Sequence, residues 1–510
     1  MNVPATDSIK KRYIFSLVVN ILLCVPRFLT ASLIPRALGP AAYGDYQFLI
    51  NNLTSIKNFL DFGTSTAFFT YNAKTEESSS LNIQYLLWWF FQLALIASGV
   101  FFAYSLGVYT HIWPGQDIEN ISLAAISVWL FLFAQQLVQF GDSKGLTILC
   151  QKTNLFANYS AAGLLALLYW RGSINIKTAM LIYITGPVIL IIFLLLKFYK
   201  KYFITGSSIS TDLAKNYAYF KNFCAPLVTV TIVGFLADFL DRWMLQKFAG
   251  SAAQGYYSLS YNWAAIALIF FNPMLNIFWR EASIEVANKN NKKVSEIFLR
   301  FTKTAFFLTS FISFFLAFNA QNLISLIAGK TFIAAKFSFI TMLFYPMAQV
   351  NGQLVGCLFF AYEDVKKYRN YSIVFMLIGT IATYFLMAPR NLFIPGFGTD
   401  HSTFALKTLL AGFIGSDILI YKMSEKLKFD YLSLIKHRLQ IIFFFVLICY
   451  TIQFVLNGVQ NVILLTLIWL ILYSTIVFFS IYNWPELTGV SNLKFYIANF
   501  FNNSKNSSNK

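Results

Sequence analysis

Residues 33–46 read Leu33-Ile-Pro-Arg-Ala-Leu-Gly-Pro-Ala-Ala-Tyr-Gly-Asp-Tyr46, and residues 244–257 read Met244-Leu-Gln-Lys-Phe-Ala-Gly-Ser-Ala-Ala-Gln-Gly-Tyr-Tyr257. At an offset of 211 residues Gly39 falls on Gly250, Ala41 and Ala42 on Ala252 and Ala253, Gly44 on Gly255, and Tyr46 on Tyr257. Farther on, Asn51 falls on Asn262 and Asp61 on Asn272, while Arg36 falls on Lys247. Chance supplies one or two identities at a fixed offset. Six at one place argue for an internal duplication. The glycines suit a tight reversal with positive φ, and the tyrosines suit a helix that begins at a membrane interface.

The rest of the chain sets this repeat in a membrane. Of 510 residues 57% are hydrophobic and only 12% charged, with a mean hydropathy of +0.61. A soluble domain carries about 25% charged residues. Apolar runs recur near 14–36, 45–71, 83–108, 121–140, 154–170, 178–196, 223–246, 256–279, 304–320, 337–360, 370–388, 403–421, 439–457 and 462–483. Each is long enough to cross a hydrocarbon core of about 30 Å as a helix. The expected fold class is therefore an all-α polytopic membrane protein of about 14 transmembrane helices. No soluble domain is visible between the runs.

The net charge of +18 does not point to nucleic acid, because Lys and Arg fall in short clusters between apolar runs. With both ends and the even-numbered loops in the cytoplasm, about 28 of them lie on that side and about 7 outside. Lys197, Lys200 and Lys201 form one cluster, Lys289, Lys292 and Lys293 another, and Lys366, Lys367 and Arg369 a third. Lys10, Lys11 and Arg12 precede a run that reads as the first span and not as a cleaved leader. The chain is expected in an inner membrane, multi-pass, with a polar cytoplasmic tail.

Six spans separate the repeat units, so the two copies share one orientation, as in transporters built from two six-helix halves. The expected division is a first lobe at 1–205, a second at 206–430, an appended helix pair at 431–490 and a tail at 491–510. Rocking one half against the other alternates access to a central site. A receptor or an anchor has no use for such halves.

The repeated turn is similar to that of a known family. Residues 35–46 resemble the R-x-L-G-P-x-x-Y-G-x-Y turn of Wzx-type polysaccharide and O-antigen repeat-unit flippases. Leu60-Asp-Phe-Gly-Thr-Ser-Thr-Ala67 resembles that family's L-D-x-G-x-x-x-A stretch. Asp241-Arg242, Gly250 and Gly255-Tyr-Tyr257 resemble its second-half pattern, and Leu326-Ile-Ala-Gly-Lys330 its outer segment after the ninth span. The resemblance runs from residue 30 to about 335 and places the chain in the multidrug/oligosaccharidyl-lipid/polysaccharide exporter superfamily. It implies a two-lobed, V-shaped bundle around a cavity. It implies as cargo an undecaprenyl-diphosphate-linked oligosaccharide, moved from the cytoplasmic to the periplasmic leaflet. It further implies membrane lipids as neighbours and a glycan polymerase and a chain-length regulator as partners. Ser251 stands where the family-like first turn has Pro40.

Charged residues at mid-span cost about 2.5–3.5 kcal/mol each on insertion scales and persist when paired or facing a watery cavity. Arg27 lies near the middle of the first span, next to Pro26. Lys57 and Asp61 lie in the second span, and Asp238, Asp241 and Arg242 in the seventh. Lys407 and Asp417 lie in the twelfth. Lys57–Asp61 and Asp238–Arg242 are spaced i,i+4, so each pair can neutralise itself on one helix face. Arg27 falls on Asp238 under the 211 shift, which suggests a bridge between the halves. Alternatively, its guanidinium forks onto phosphate oxygens. The candidate cargo cations are Arg27, Lys57 and Arg242. The candidate ion-coupling or gating carboxylates are Asp61, Asp238, Asp241 and Asp417. The candidate turn residues are Gly39, Pro40, Gly44, Gly250 and Gly255.

No catalytic set, cofactor or metal is expected. Cys24, Cys150, Cys224, Cys357 and Cys449 stand singly, and His111, His401 and His437 are far apart. Gly329-Lys330-Thr331 lacks the first glycine of a phosphate loop, since position 324 is Ile324. Two other readings compete. One is a multidrug exporter of the same superfamily. The other is a membrane glycosyltransferase or polymerase, which would want an aspartate cluster or a large outer loop and leaves the repeat without a purpose.

Overall fold

The computed structural model describes residues 9–74, 79–198, 213–225, 228–268, 271–456 and 462–489. Lys200, Lys201 and the expected tail at 491–510 lie outside the described residues, as do the side chains of Lys10, Lys11 and Arg12. Among the described residues every regular element is a helix.

The chain runs through α1 (Ile9–Leu22), α2 (Cys24–Asp61), α3 (Thr64–Lys74), α4 (Ser79–Ser105), the short α5 (Tyr109–Ile112), α6 (Ile118–Ser143), α7 (Thr147–Trp170) and α8 (Ile176–Phe198). It continues through α9 (Leu213–Cys224), α10 (Val228–Met244), α11 (Gly250–Ala264), α12 (Asn272–Ala287), α13 (Asn291–Phe318), α14 (Ala320–Ile327), α15 (Lys336–Leu343) and α16 (Tyr345–Ala361). The last helices are α17 (Val365–Met387), α18 (His401–Leu427), α19 (Tyr431–Val455) and α20 (Val462–Asn483). Among the described residues the fourteen apolar runs are largely helical. Among the described residues ten helices are long and apolar enough to cross a membrane unaided, or eleven if the bent stretch beginning at Asn216 counts as one span.

The remaining runs differ from a simple rod in readable ways. The first is interrupted at Leu23, between α1 and α2. Pro26 has no N–H to give the Leu22 carbonyl, and Tyr159 of α7 donates its hydroxyl to that carbonyl at 3.0 Å instead. The second run, expected to be continuous over 45–71, breaks at Phe62 (φ 48) and Gly63 (φ 84). The eighth changes to a 3₁₀ turn at Ala265–Leu268 before α12 begins. The expected cytoplasmic loop at 280–303 is mostly helix, since α12 reaches Ala287 and α13 begins at Asn291. Asn290 accepts from the Lys293 amide and so caps α13. Hydropathy cannot register a helix that continues into water.

The two repeat glycines adopt one backbone conformation. Gly39 has φ 72 and ψ 173, and Gly250 has φ 86 and ψ 173. Each interrupts a helical run just before a new helix starts.

The contacts divide the chain into two compact units. The first comprises residues 1–255 and 380–400. Its core holds Trp89, Trp129, Phe133, Phe140, Leu194 and Phe198. The second comprises 256–379 and 401–510. One of its clusters gathers Phe278, Phe298, Leu354 and Leu358, and another gathers Phe306, Phe445, Trp469 and Tyr473. Phe454, Phe478 and Phe479 of α19 and α20 are exposed, as lipid-facing side chains are.

Side-chain ties sort the loops into two ends. In the first unit Glu119 pairs with Lys177, Gln116 donates to Asp45, and Trp243 donates to the His111 carbonyl. These join the stretches after the first, third, fifth and seventh runs. At the opposite ends Lys144 donates to the Asn72 carbonyl and Asn216 to Gln84. In the second unit Tyr362 donates to Asn291 and Lys426 pairs with Asp364, joining the stretches after the eighth, tenth and twelfth runs.

Candidate functional site

The break in the second run is built around a charge. Asp61 is the last residue of α2. Its carboxylate accepts from Thr64 Oγ1 at 3.0 Å, Ser65 Oγ at 2.7 Å and the Ser65 amide at 3.3 Å, which caps the start of α3. Lys57, one turn earlier, holds its Nζ 3.5 Å from Asp61 Oδ1 and 3.8 Å above the Trp89 ring. The Lys57 side chain is 3% exposed and that of Asp61 13%.

A shell from α4 and α6 completes this network. Trp88 Nε1 donates to Thr64 Oγ1 at 3.1 Å, and Tyr85 donates to Ser65 Oγ at 3.0 Å. Gln92 Nε2 donates at 3.3 Å to the Leu60 carbonyl, beside the break. Trp129 Nε1 donates to the Trp89 carbonyl at 3.0 Å and packs edge-on against that indole. Unpaired, the ammonium would be untenable at this depth. Here a carboxylate and a π face together offset its lost hydration.

Arg27 has different surroundings. It lies one turn into α2 and is exposed, as is Asp238 of α10. Among the described residues no ion pair joins the two, so the structure does not bring them together. Asp241 accepts from Thr383 Oγ1 of α17 at 2.8 Å. Arg242, the next residue, is half-buried. In the second unit Asp417 of α18 pairs with Arg438 of α19. The Arg438 side chain is 5% exposed, and its guanidinium faces the Phe306 ring. Lys407 lies 5.3 Å from the centre of the Phe404 ring.

Sequence reasoning overlooked several of these groups. Tyr85, Trp88, Trp89 and Gln92 form a polar and aromatic stripe at i, i+3, i+4 and i+7, which is the signal of one helix face. Arg438 stands just before the thirteenth apolar run and so passed for a loop charge. Its partner is 21 residues away on another helix, and no spacing rule reaches that far. Among the described residues no three His, Cys, Asp or Glu side chains gather as a metal site.

The site is thus a set of membrane-depth charges. Three of the four candidate carboxylates are engaged by neighbours, while Asp238 and Arg27 are exposed.

Comparison with known proteins places the chain. No curated protein sequence matches it. Among solved structures it is similar to a lipid II flippase, MurJ, in an inward closed conformation. The TM-score is 0.67 at 14% identity, covering 93% of this chain and 99% of that one. It is also similar to an inward-facing multidrug resistance MATE family transporter of the MOP superfamily, with TM-score 0.61, 11% identity, and 83% and 99% of the two chains covered. A MOP superfamily transporter from Pyrococcus furiosus gives TM-score 0.55 at 11% identity over 82% of this chain and 94% of that one. At these identities the likeness is one of fold. The family description "Polysaccharide biosynthesis protein" matches residues 9–280, more than half of the sequence, and the chain therefore belongs to the polysaccharide biosynthesis protein family, with the helical membrane fold of the MOP superfamily.

Proposed function

We propose that this protein is a flippase that carries an undecaprenyl-diphosphate-linked oligosaccharide from the cytoplasmic to the periplasmic leaflet by alternating access. The observation that carries this reading is the polysaccharide family match on a chain of membrane-spanning helices. Glycans assembled in the cytoplasm need a carrier to cross, and a protein lying almost wholly in the bilayer suits carriage better than bond chemistry. The fold shared with a flippase and with exporters supports the same reading.

In this reading the repeat halves at 1–205 and 206–430 are the moving bodies, and 431–490 is an appended pair. Both termini are cytoplasmic, and a glycan polymerase and chain-length regulator receive the product. The cargo's diphosphate must cross the membrane at the depth of Arg27, and its charge demands a compensating cation there. Arg27 is exposed and can offer its fork. Lys57 is covered by Trp89 and Asp61, so Arg27 is the first cargo contact and Arg242 the next candidate. Among the carboxylates Asp238 is exposed and is the best placed to exchange a proton or sodium ion.

The test is translocation in proteoliposomes loaded with a fluorescent undecaprenyl-diphosphate oligosaccharide, read by loss of signal to an impermeant quencher. Protein-dependent quenching of this lipid, with no export of cationic dyes, is expected. Dye export without lipid movement would transfer the protein to the multidrug class.

A further inference from the structure

The sequence repeat meets itself in space. A Cβ added to Gly44 would fall on the Ser251 carbonyl oxygen and lie 2.8 Å from the Gly255 amide nitrogen. A Cβ added to Gly255 would fall on the Pro40 carbonyl oxygen and lie 3.2 Å from the Gly44 amide nitrogen. Under the 211 shift Pro40 corresponds to Ser251 and Gly44 to Gly255. The contact is therefore reciprocal. Residue 44 meets the partner of 40, and the partner of 44 meets 40. That is the mark of a two-fold relation, here within one chain. All four residues lie in the first unit.

Backbone rests on backbone here, which only glycine permits. A polar clasp lies beside the seam. Asp45 Oδ1 accepts from Gln116 Nε2 at 2.6 Å and from Gln246 Nε2 at 2.8 Å, and Gln246 also donates to Ser251 Oγ at 3.0 Å. Trp243 Nε1 donates to the His111 carbonyl at 2.7 Å at the same end. The clasp is held by amide donors that water can replace. Such a contact parts at little cost and closes again in register.

We propose that the Gly44–Gly255 seam, with its Asp45 clasp, is the outer gate of the transport cycle. It is closed here by the repeat turns themselves and opens to release cargo on the side of the Glu119–Lys177 pair. This rests on the carrier reading above. It assigns Asp45, Gln116 and Gln246, three residues outside the repeat identities, to holding the gate shut.

The test places spin labels on exposed positions either side of the seam, Ala41→Cys and Lys247→Cys, in full-length protein carrying Cys24→Ser. The other four cysteines are buried. Pulsed electron resonance in proteoliposomes should show a short-distance population. Gly44→Ala or Gly255→Ala should deplete it by about tenfold, as expected for overpacking against an unyielding backbone. Asp45→Asn, which keeps the fold free of steric change, should deplete it less. Unchanged distances in well-folded glycine variants would overturn the proposal. If the glycine variants do not accumulate, a short bismaleimide tether between the same two cysteines decides: lipid translocation stops if the seam is the gate, and continuing translocation refutes it. If the wild type moves no lipid-linked oligosaccharide under any condition, the carrier reading fails. The 41–247 distances then judge the seam alone, and a single fixed distance at all ion gradients refutes a gate.

Discussion

Lys57 and Arg27 are cations on neighbouring spans of the same unit, with opposite surroundings. Lys57 is enclosed by Asp61, Trp89 and the capped start of α3. Arg27 is exposed beside a proline-induced interruption whose orphaned carbonyl is satisfied by Tyr159. A buried charge held by neighbours maintains architecture. In the proposed function the exposed charge is the one that meets cargo. Sequence position makes the two look alike; their surroundings separate them.

The largest stability effect should come from removing one member of the enclosed pair. Lys57→Met leaves Asp61 with an uncompensated charge and should cost about 3–5 kcal/mol, seen as lost abundance and a lowered unfolding temperature in detergent. Adding Asp61→Asn should restore most of it, since replacing a whole buried pair is often near neutral. If the single variant is as stable as wild type, the pair is not structural and the contrast with Arg27 dissolves.

Arg438→Met tests the other unit. Its partner Asp417 is 25% exposed and can turn to water, so the loss should be smaller, at about 1–3 kcal/mol. The same unfolding measurement reports it. An effect larger than that of Lys57→Met would invert the ranking.

Tyr159→Phe removes the hydroxyl that serves the Leu22 carbonyl, and should cost about 1 kcal/mol. It should also raise hydrogen exchange around residues 22–27. Unchanged exchange would mean that the interruption beside Arg27 needs no such support.

The smallest effect concerns the Asp364–Lys426 pair. The Lys426 ammonium, bonded to Asp364, holds that carboxyl below its ordinary value. A depressed carboxyl stabilises the fold above its unfolded pKa of about 3.9, and the contribution is lost as pH falls through the folded value. Asp364→Asn should lower stability at pH 7 by less than about 1 kcal/mol, and the difference from wild type should vanish at acidic pH. A difference that grows on acidification has the wrong sign for this account.

The fold was legible because apolar runs and the charge between them record membrane crossing directly. The 211-residue repeat likewise exposed Gly39 and Gly250, which share one backbone conformation. The Lys57–Asp61 pair could be read because one helix carries both residues. Asp417–Arg438, Asp45–Gln246 and Thr383–Asp241 could not, since each joins helices whose adjacency only the folded chain sets. The break at Phe62–Gly63 was hidden because hydropathy averages over a capped interruption.

The contrast between the two cations is tested most directly by translocation of the fluorescent undecaprenyl-diphosphate oligosaccharide, measured side by side for Arg27→Ala and for the double variant Lys57→Met/Asp61→Asn. Both should insert and accumulate. The account predicts that Arg27→Ala abolishes translocation, that Arg27→Lys keeps part of it because charge survives without the fork, and that the double variant transports. Normal translocation by Arg27→Ala at normal abundance, with none by the double variant, would contradict it.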